Sequence, residues 1–132
     1  MAAVEKEISR LSKAGCKVVL ISFGTPQGSK AWLQETGSGL DMYVDSKRSL
    51  YNMMGQGRST SMVYNIDTIK YVAVMNIHGE ELPALIEDDV HDDLQMGGNL
   101  TIRCSDAKLM MVFPSSGAVD RPSVDSILDA LI

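Results

Sequence analysis

Two cysteines, Cys16 and Cys104, are the residues of this 132-residue chain best suited to covalent chemistry. A cysteine becomes a nucleophile when its thiolate is stabilised, and a helix N-terminus does this through the positive end of its dipole. Neither residue has that setting in the sequence: Cys16 follows Gly15 at the entry to an apolar run, and Cys104 ends a β-branched stretch. Both read as reduced thiols, Cys16 as a small core hydrophobe, and they are too few and too far apart for a disulfide framework or a four-ligand zinc site. Gly24-Thr25-Pro26-Gln27-Gly28 stands between a strand and a helix, where dinucleotide folds hold phosphate on helix amides. Pro26 has no amide hydrogen and the glycine pattern is incomplete, so a helix cap is the better reading. Glu87-Asp88-Asp89-Val90-His91-Asp92-Asp93 is dense in oxygen and imidazole ligands but lacks the alternating acids and central glycine of a calcium loop. It reads as a solvated acidic turn, and His78 beside Gly79 as the C-terminal residue of a helix. Arg58, in Gly-Gln-Gly-Arg, is a candidate partner for an anion, against the usual solvated state of a lone surface arginine. No serine, histidine and acid grouping suggests a hydrolase, and neither a cofactor nor a metal is expected.

The elements that must position these residues follow from period and punctuation. Val4, Ile8, Leu11 and Ala14 recur at helical spacing, with Gly15 as the stop. Lys17 to Ser22 is an apolar run of strand length without polar alternation, the pattern of a strand covered on both faces in a parallel sheet. Thr25 and Pro26 open a helix to about Thr36 that ends at Gly37. Met42 to Val44 is a short strand, after which Asp45 or Ser46 caps a helix through Leu50, Tyr51 and Met54 that stops at Gly55. Ser59 to Ile77 predicts one long amphipathic helix with Met62, Ile66, Ile69, Ala73 and Ile77 inward and with Val63 and Val72 widening the stripe. Asn99 to Cys104 and Leu109 to Phe113 form an antiparallel hairpin across Ser105, Asp106 and Ala107. Pro122 and Ser123 open a last helix with Val124, Ile127, Leu128 and Leu131 inward.

Composition bounds the function classes. The length suits one domain with a real core. A net charge of -5 without a Lys/Arg cluster argues against nucleic acid. The longest apolar runs, Val18 to Ile21 and Leu109 to Phe113, fall far short of the roughly 20 residues that cross a bilayer, so no membrane partner is expected. The N-terminal Met-Ala-Ala-Val-Glu-Lys-Glu lacks the basic and apolar regions of a signal peptide, which points to a cytoplasmic protein. Nine methionines suit flexible filling of an irregular core, with a soft partner-binding face as the other use.

The blocks DMYVDSKRSLYNMMGQGRS from Asp41, LQMGGNLTI from Leu94 and DRPSVDSILDALI from Asp120 resemble the peroxiredoxin-like 2 family, of the alkyl hydroperoxide reductase and thiol-specific antioxidant superfamily. The resemblance runs from about Ile8 to Leu131. It implies a thioredoxin-like α/β domain over residues 1–132, a mixed sheet with flanking helices. It also implies thiol redox or antioxidant work, some members drawing electrons from NADPH through thioredoxin-type carriers. In that family a Cys-x-x-Cys motif lies between the first, central strand and the first helix. This chain starts inside that helix, so relative to the family it reads as shortened at the N-terminus and without the central strand. By resemblance Gln95, Gly97 and Gly98 stand in the place of the substrate-facing loop of thioredoxins, with Arg58 near it, while both cysteines fall at the opposite pole. The expected function is a redox-family member without its catalytic segment, and the alternative is a binding or regulatory module. Its exposed strand edges and Met-rich face would dock a thioredoxin-type protein or a second copy.

Overall fold

The structure is a computed structural model that describes residues 7–81 and 92–132. It begins with α1 (Ile8–Lys13), whose last carbonyls are closed by the amides of Ala14, Gly15 and Cys16. Next come β1 (Val19–Ser22), α2 (Pro26–Thr36) and β2 (Asp41–Val44). The punctuation of α2 acts as its residue types require. Thr25 Oγ1 accepts from the Gly28 amide at 3.0 Å, Pro26 occupies the first turn, and Gly37 takes the left-handed conformation (φ 65°) that a Cβ disfavours. β1 and β2 pair in parallel from Val19 opposite Asp41 to Ser22 opposite Val44.

After β2 follow α3 (Ser49–Met53), α4 (Thr60–Val63) and α5 (Ile66–Ile77). The Asp45 carboxylate accepts the Ser49 and Leu50 amides at 2.9 and 2.8 Å, so it is the acid before the helix that caps α3. The segment expected to form one helix from Ser59 to Ile77 is two. Ser59 caps α4, and Asn65 caps α5 by accepting the Thr68 amide at 2.9 Å. An asparagine that bonds its own backbone starts a helix instead of continuing one.

The break has a consequence for packing. At 3.6 residues per turn Thr68, Val72 and Met75 share the half-buried side of α5, so of the expected stripe Val72, at its margin, is turned inward, whereas Ile66, Ile69, Ala73 and Ile77 are exposed. Period alone finds the apolar stripe but not the side on which the rest of the chain lies.

The hairpin is present as β3 (Gly98–Arg103) and β4 (Lys108–Pro114), antiparallel with an irregularity after Thr101. Cys104 lies in its turn instead of ending the strand, and is exposed. Ser123 caps the last helix, α6 (Val124–Asp129), through the Ser126 amide. Leu11 of α1 and Val124 of α6 make the buried core, joined by Cys16, Val18, Ile127 and Leu128. Cys16 is thus half-buried among core hydrophobes, as its type suggested.

Among the described residues the strands form two separate two-stranded sheets, β1 with β2 and β3 with β4. Leu20 is buried, but Val19 and Ile21 on the other face of β1 are more than one third exposed, so a strand patterned for cover on both sides has it on one. No described helix is long and apolar enough to cross a membrane.

Candidate functional site

Because β1 and β2 are parallel, their C-terminal ends open on one edge, and the chain leaves them at Phe23 and Asp45. The Asp45 amide donates to the Ser22 carbonyl at 2.6 Å, which holds these two exits together. Tyr51 of α3 reaches back and donates its hydroxyl to the Ile21 carbonyl at 2.9 Å, and its ring meets Phe23 edge to face, with centroids 5.6 Å apart. Burial, and then the nearby Asp45 carboxylate, raise the Tyr51 phenol above its ordinary pKa, so it stays a donor.

Arg48 sits in the left-handed region (φ 56°), unusual for a residue with a side chain, and projects its guanidinium over the Phe23 ring at 4.6 Å. From there Arg48 Nη1 donates to Asp92 Oδ2 at 2.9 Å and to Gln95 Oε1 at 2.7 Å. Arg58 Nε donates to the same Asp92 carboxylate, 2.8 Å from Oδ2. The Asp92 side chain is 9% exposed, against 28% for Arg48 and 60% for Arg58. Burial alone would raise the Asp92 carboxyl, but the hydrogen bonds from Arg48 and Arg58, with the Leu94 amide, outweigh it and hold Asp92 below the usual carboxylate value.

The backbone around this cluster is stitched together. Arg58 and Gln95 form an antiparallel bridge, the Met96 amide donates to the Gly57 carbonyl at 2.9 Å, and the Ser59 amide to the Leu94 carbonyl at 3.0 Å. Gln95 Nε2 donates to the carbonyls of Gln56, Gly57 and Met96. The buried Gln56 amide in turn spans the carbonyls of Gly97 and Ser115, at 2.7 and 2.9 Å. A buried amide with both contacts made fixes three loops relative to one another.

All four residues singled out in the sequence therefore lie at this edge. Arg58 and Gln95 face each other across the bridge, and Gly97 lies near the edge of the Tyr51 side chain, where a Cβ would be 3.8 Å from Cε1. Gly98 opens β3 where a Cβ would collide with the Phe113 carbonyl oxygen. Gly98 is a glycine because of close backbone approach, not positive φ. Two expectations need correcting. Arg58 is not a solvated lone cation, and the acidic turn is not wholly solvated, since Asp92 is buried between two arginines and Asp93 accepts from the Tyr64 hydroxyl at 3.0 Å. The rest of that acidic run, residues 87–91, lies outside the described residues.

The sequence reading missed Arg48, Asp92, Phe23 and Gln56 as parts of the site. Asp92 is 44 and 34 positions from its two arginines, and no local signal sets it apart from the acids beside it. The cysteines, by contrast, are at the other pole. Cys16 precedes the N-terminal end of β1, and Cys104 lies at the turn end of a hairpin whose opposite end joins Gln95. An open groove of about 500 Å³ also lies at the Cys16 end, lined by Ser12, Cys16, Val18 and Leu40, with the Lys17 and Asp41 ion pair (2.7 Å) on its rim. Groove and polar cluster do not coincide.

Chemically, the two guanidiniums are already balanced by Asp92 between them and by the Asp45 and Asp93 carboxylates beside it, which leaves a polar, hydrogen-bonding edge with no excess of positive charge. It contains no thiol, and no group of three metal-ligating side chains occurs among the described residues. In comparison with known proteins, residues 4–113 match the family described as AhpC/TSA antioxidant enzyme. No curated protein and no solved structure matches the chain.

Proposed function

Because the chain belongs to the AhpC/TSA antioxidant enzyme family, whose thioredoxin-like fold its mixed α/β architecture fits, we propose that it is a thiol redox family member whose recognition edge is built but which has no thiol turnover of its own. The observation that carries this reading is the placement of its sulfur. The recognition edge is the meeting of Arg48, Arg58, Asp92, Gln95 and the Gly97-Gly98 loop, and both cysteines sit at the opposite pole. Neither is at a helix N-terminus, where the backbone dipole would favour a reactive thiolate. Gln95, Gly97, Gly98 and Arg58 then face what the edge binds. The work is cytoplasmic in this reading and needs no cofactor held by the chain.

The test is peroxide-dependent oxidation of a thioredoxin and reductase couple, expected to run at the buffer rate with the purified chain. A turnover that disappears on Cys16→Ser or Cys104→Ser would overturn the reading.

A second reading, a binding or regulatory module without enzymatic work, is supported by the sheet edges that stay unpaired among the described residues and by the exposed Val19, Ile21 and Tyr43. Unpaired strand edges are templates for another chain. The partner would be a thioredoxin-type protein or a second copy, with exposed Met53 adding a soft contact. A purified thioredoxin whose binding is unaffected by Cys16→Ser and Cys104→Ser, but lost on replacing Ile21 by proline, is the expected outcome there.

A further inference from the structure

The loop that leads from β4 into α6 presents an arginine whose bonds all go to neutral oxygens. Arg10, Arg48, Arg58 and Arg103 each bond a carboxylate, whereas Arg121 does not. Its Nη1 donates to the Ser115 hydroxyl at 2.9 Å and to the Asp120 carbonyl at 2.7 Å, which uses both protons of that nitrogen. Nε and Nη2 have no hydrogen-bond partner among the described residues. These are the two nitrogens with which Arg103 grips Asp106, at 3.0 and 2.6 Å, and that edge of a guanidinium matches the two oxygens of a carboxylate.

The arginine is held in place by what lies behind it. Ser115 is 2% exposed, its amide donates to the Gly97 carbonyl at 3.0 Å, and its carbonyl accepts from the buried Gln56 amide at 2.9 Å. The hydroxyl that orients Arg121 is thus fixed to the Gly97 side of the recognition edge. Asp120, the acid next in sequence, is committed elsewhere: its Oδ2 accepts the Ser116 amide at 2.8 Å and the Ser116 hydroxyl at 2.7 Å. Pro122, buried, restricts the Arg121 backbone from the other side. Burial pushes the Arg121 guanidinium below its ordinary pKa, and the nearby Asp120 charge offsets this only in part. A cation partly withdrawn from water without a bonded carboxylate is under-compensated, yet Arg121 remains exposed enough for a ligand to reach it.

We propose that Arg121 is the anion-binding residue of the recognition edge, taking one carboxylate in two-point contact on Nε and Nη2, with Ser115 as its positioning residue. The proposal rests on that edge as described under the proposed function. A phosphate dianion fits less well. It brings a second charge close to Asp120 in a chain of net charge -5, and no lysine or second arginine bonds to this loop among the described residues.

The test is a titration of the full chain, labelled with nitrogen-15, at neutral pH and constant ionic strength, following the Arg121 Nε–H signal. Acetate should shift that signal with saturation in the range of about 1–30 mM, and inorganic phosphate should bind no tighter. Arg121→Gln should weaken acetate binding at least about tenfold, and Arg121→Lys, which keeps the charge but not the fork, about three- to tenfold, both read on the neighbouring backbone amides. Ser115→Ala should weaken it about two- to fivefold with circular dichroism unchanged, because the guanidinium is then no longer pre-oriented. Arg103→Gln, the same loss of charge at the far end of the hairpin, should leave it unchanged. A blocked tripeptide with one glutamate that binds tighter than acetate assigns the carboxylate to a protein partner, and equal affinity assigns it to a free carboxylic acid. An Arg121 signal that does not move up to about 100 mM acetate, a tighter phosphate complex, or equal losses for Arg121→Gln and Arg103→Gln overturn the proposal. If Arg121→Gln does not fold, Arg121→Lys decides, and an affinity equal to the parent's overturns it. Binding is read without any thiol turnover, so a missing carboxylate site and an unexpected peroxidase activity are separate results.

Discussion

Replacing Asp92 by asparagine tests the construction of the recognition edge most directly. The change keeps the shape of the side chain and an oxygen for the Leu94 amide but removes the charge from between Arg48 and Arg58. Arg58 is 60% exposed, so its pair with Asp92 is worth at most about 1 kcal/mol. Arg48 and Asp92 are mostly withdrawn from solvent, which places their charged hydrogen bond at about 1.5–3 kcal/mol. The expected loss for Asp92→Asn at neutral pH is therefore about 1.5–4 kcal/mol.

That is a large part of the stability of a chain whose buried apolar residues, among those described, are Leu11, Leu20, Met96 and Val124. The loss also depends on pH. Asp92 titrates below its ordinary value of 3.8 in the folded chain, so its contribution is present in full above that value and fades as pH falls through the depressed folded pKa. The gap between the parent and Asp92→Asn should accordingly be widest at neutral pH and close toward the acid end. Urea unfolding followed by circular dichroism, at neutral pH and at steps below about pH 4, measures it. Double-mutant cycles then apportion it, with coupling above about 1 kcal/mol for Arg48→Ala with Asp92→Asn and below about 0.5 kcal/mol for Arg58→Ala with Asp92→Asn. A variant within about 0.5 kcal/mol of the parent at neutral pH, or a gap that does not change with pH, refutes the reasoning.

Other outcomes follow from single contacts. Gly98→Ala drives a methyl group into the Phe113 carbonyl and to 3.1 Å from the Pro114 Cα, and should cost about 1–3 kcal/mol in equilibrium unfolding. Gly97→Ala meets only the Tyr51 ring at 3.8 Å and should be within about 1 kcal/mol of the parent by the same measurement. Leu11→Ala empties the best buried site in the core, at 1% exposure, and should cost about 2–5 kcal/mol, read as a lower urea midpoint at unchanged slope. Mild oxidation of the folded monomer should give no intramolecular bridge between Cys16 and Cys104 on non-reducing mass analysis. Cys16 precedes β1 and Cys104 follows β3, strands of separate sheets that do not pair with each other, and a bridge needs Cα atoms within about 7 Å.

Local chemistry made much of this fold legible in the residues themselves. Thr25, Pro26 and Gly37 bound α2 because a hydroxyl cap, a fixed φ and a left-handed stop act within one turn, and no distant contact is needed. The hairpin across Ser105, Asp106 and Ala107, though not its start one residue earlier at Cys104, and the Ser123 cap of α6 are legible for the same reason. Asn65 carried the same kind of signal, an N-cap inside an apolar periodicity, and the periodicity hid it. Gln95, Gly97, Gly98 and Arg58 could be singled out by motif and resemblance, but what joins them could not. Asp92 has the same residue type as its acidic neighbours, and its burial arises only when chain folding brings Arg48 and Arg58 to it from more than 30 positions away. Tertiary structure alone also decided which side of α5 turns inward and which face of β1 stays open. An apolar stripe states that a face prefers cover, whereas the identity of the covering surface depends on where every other element has packed.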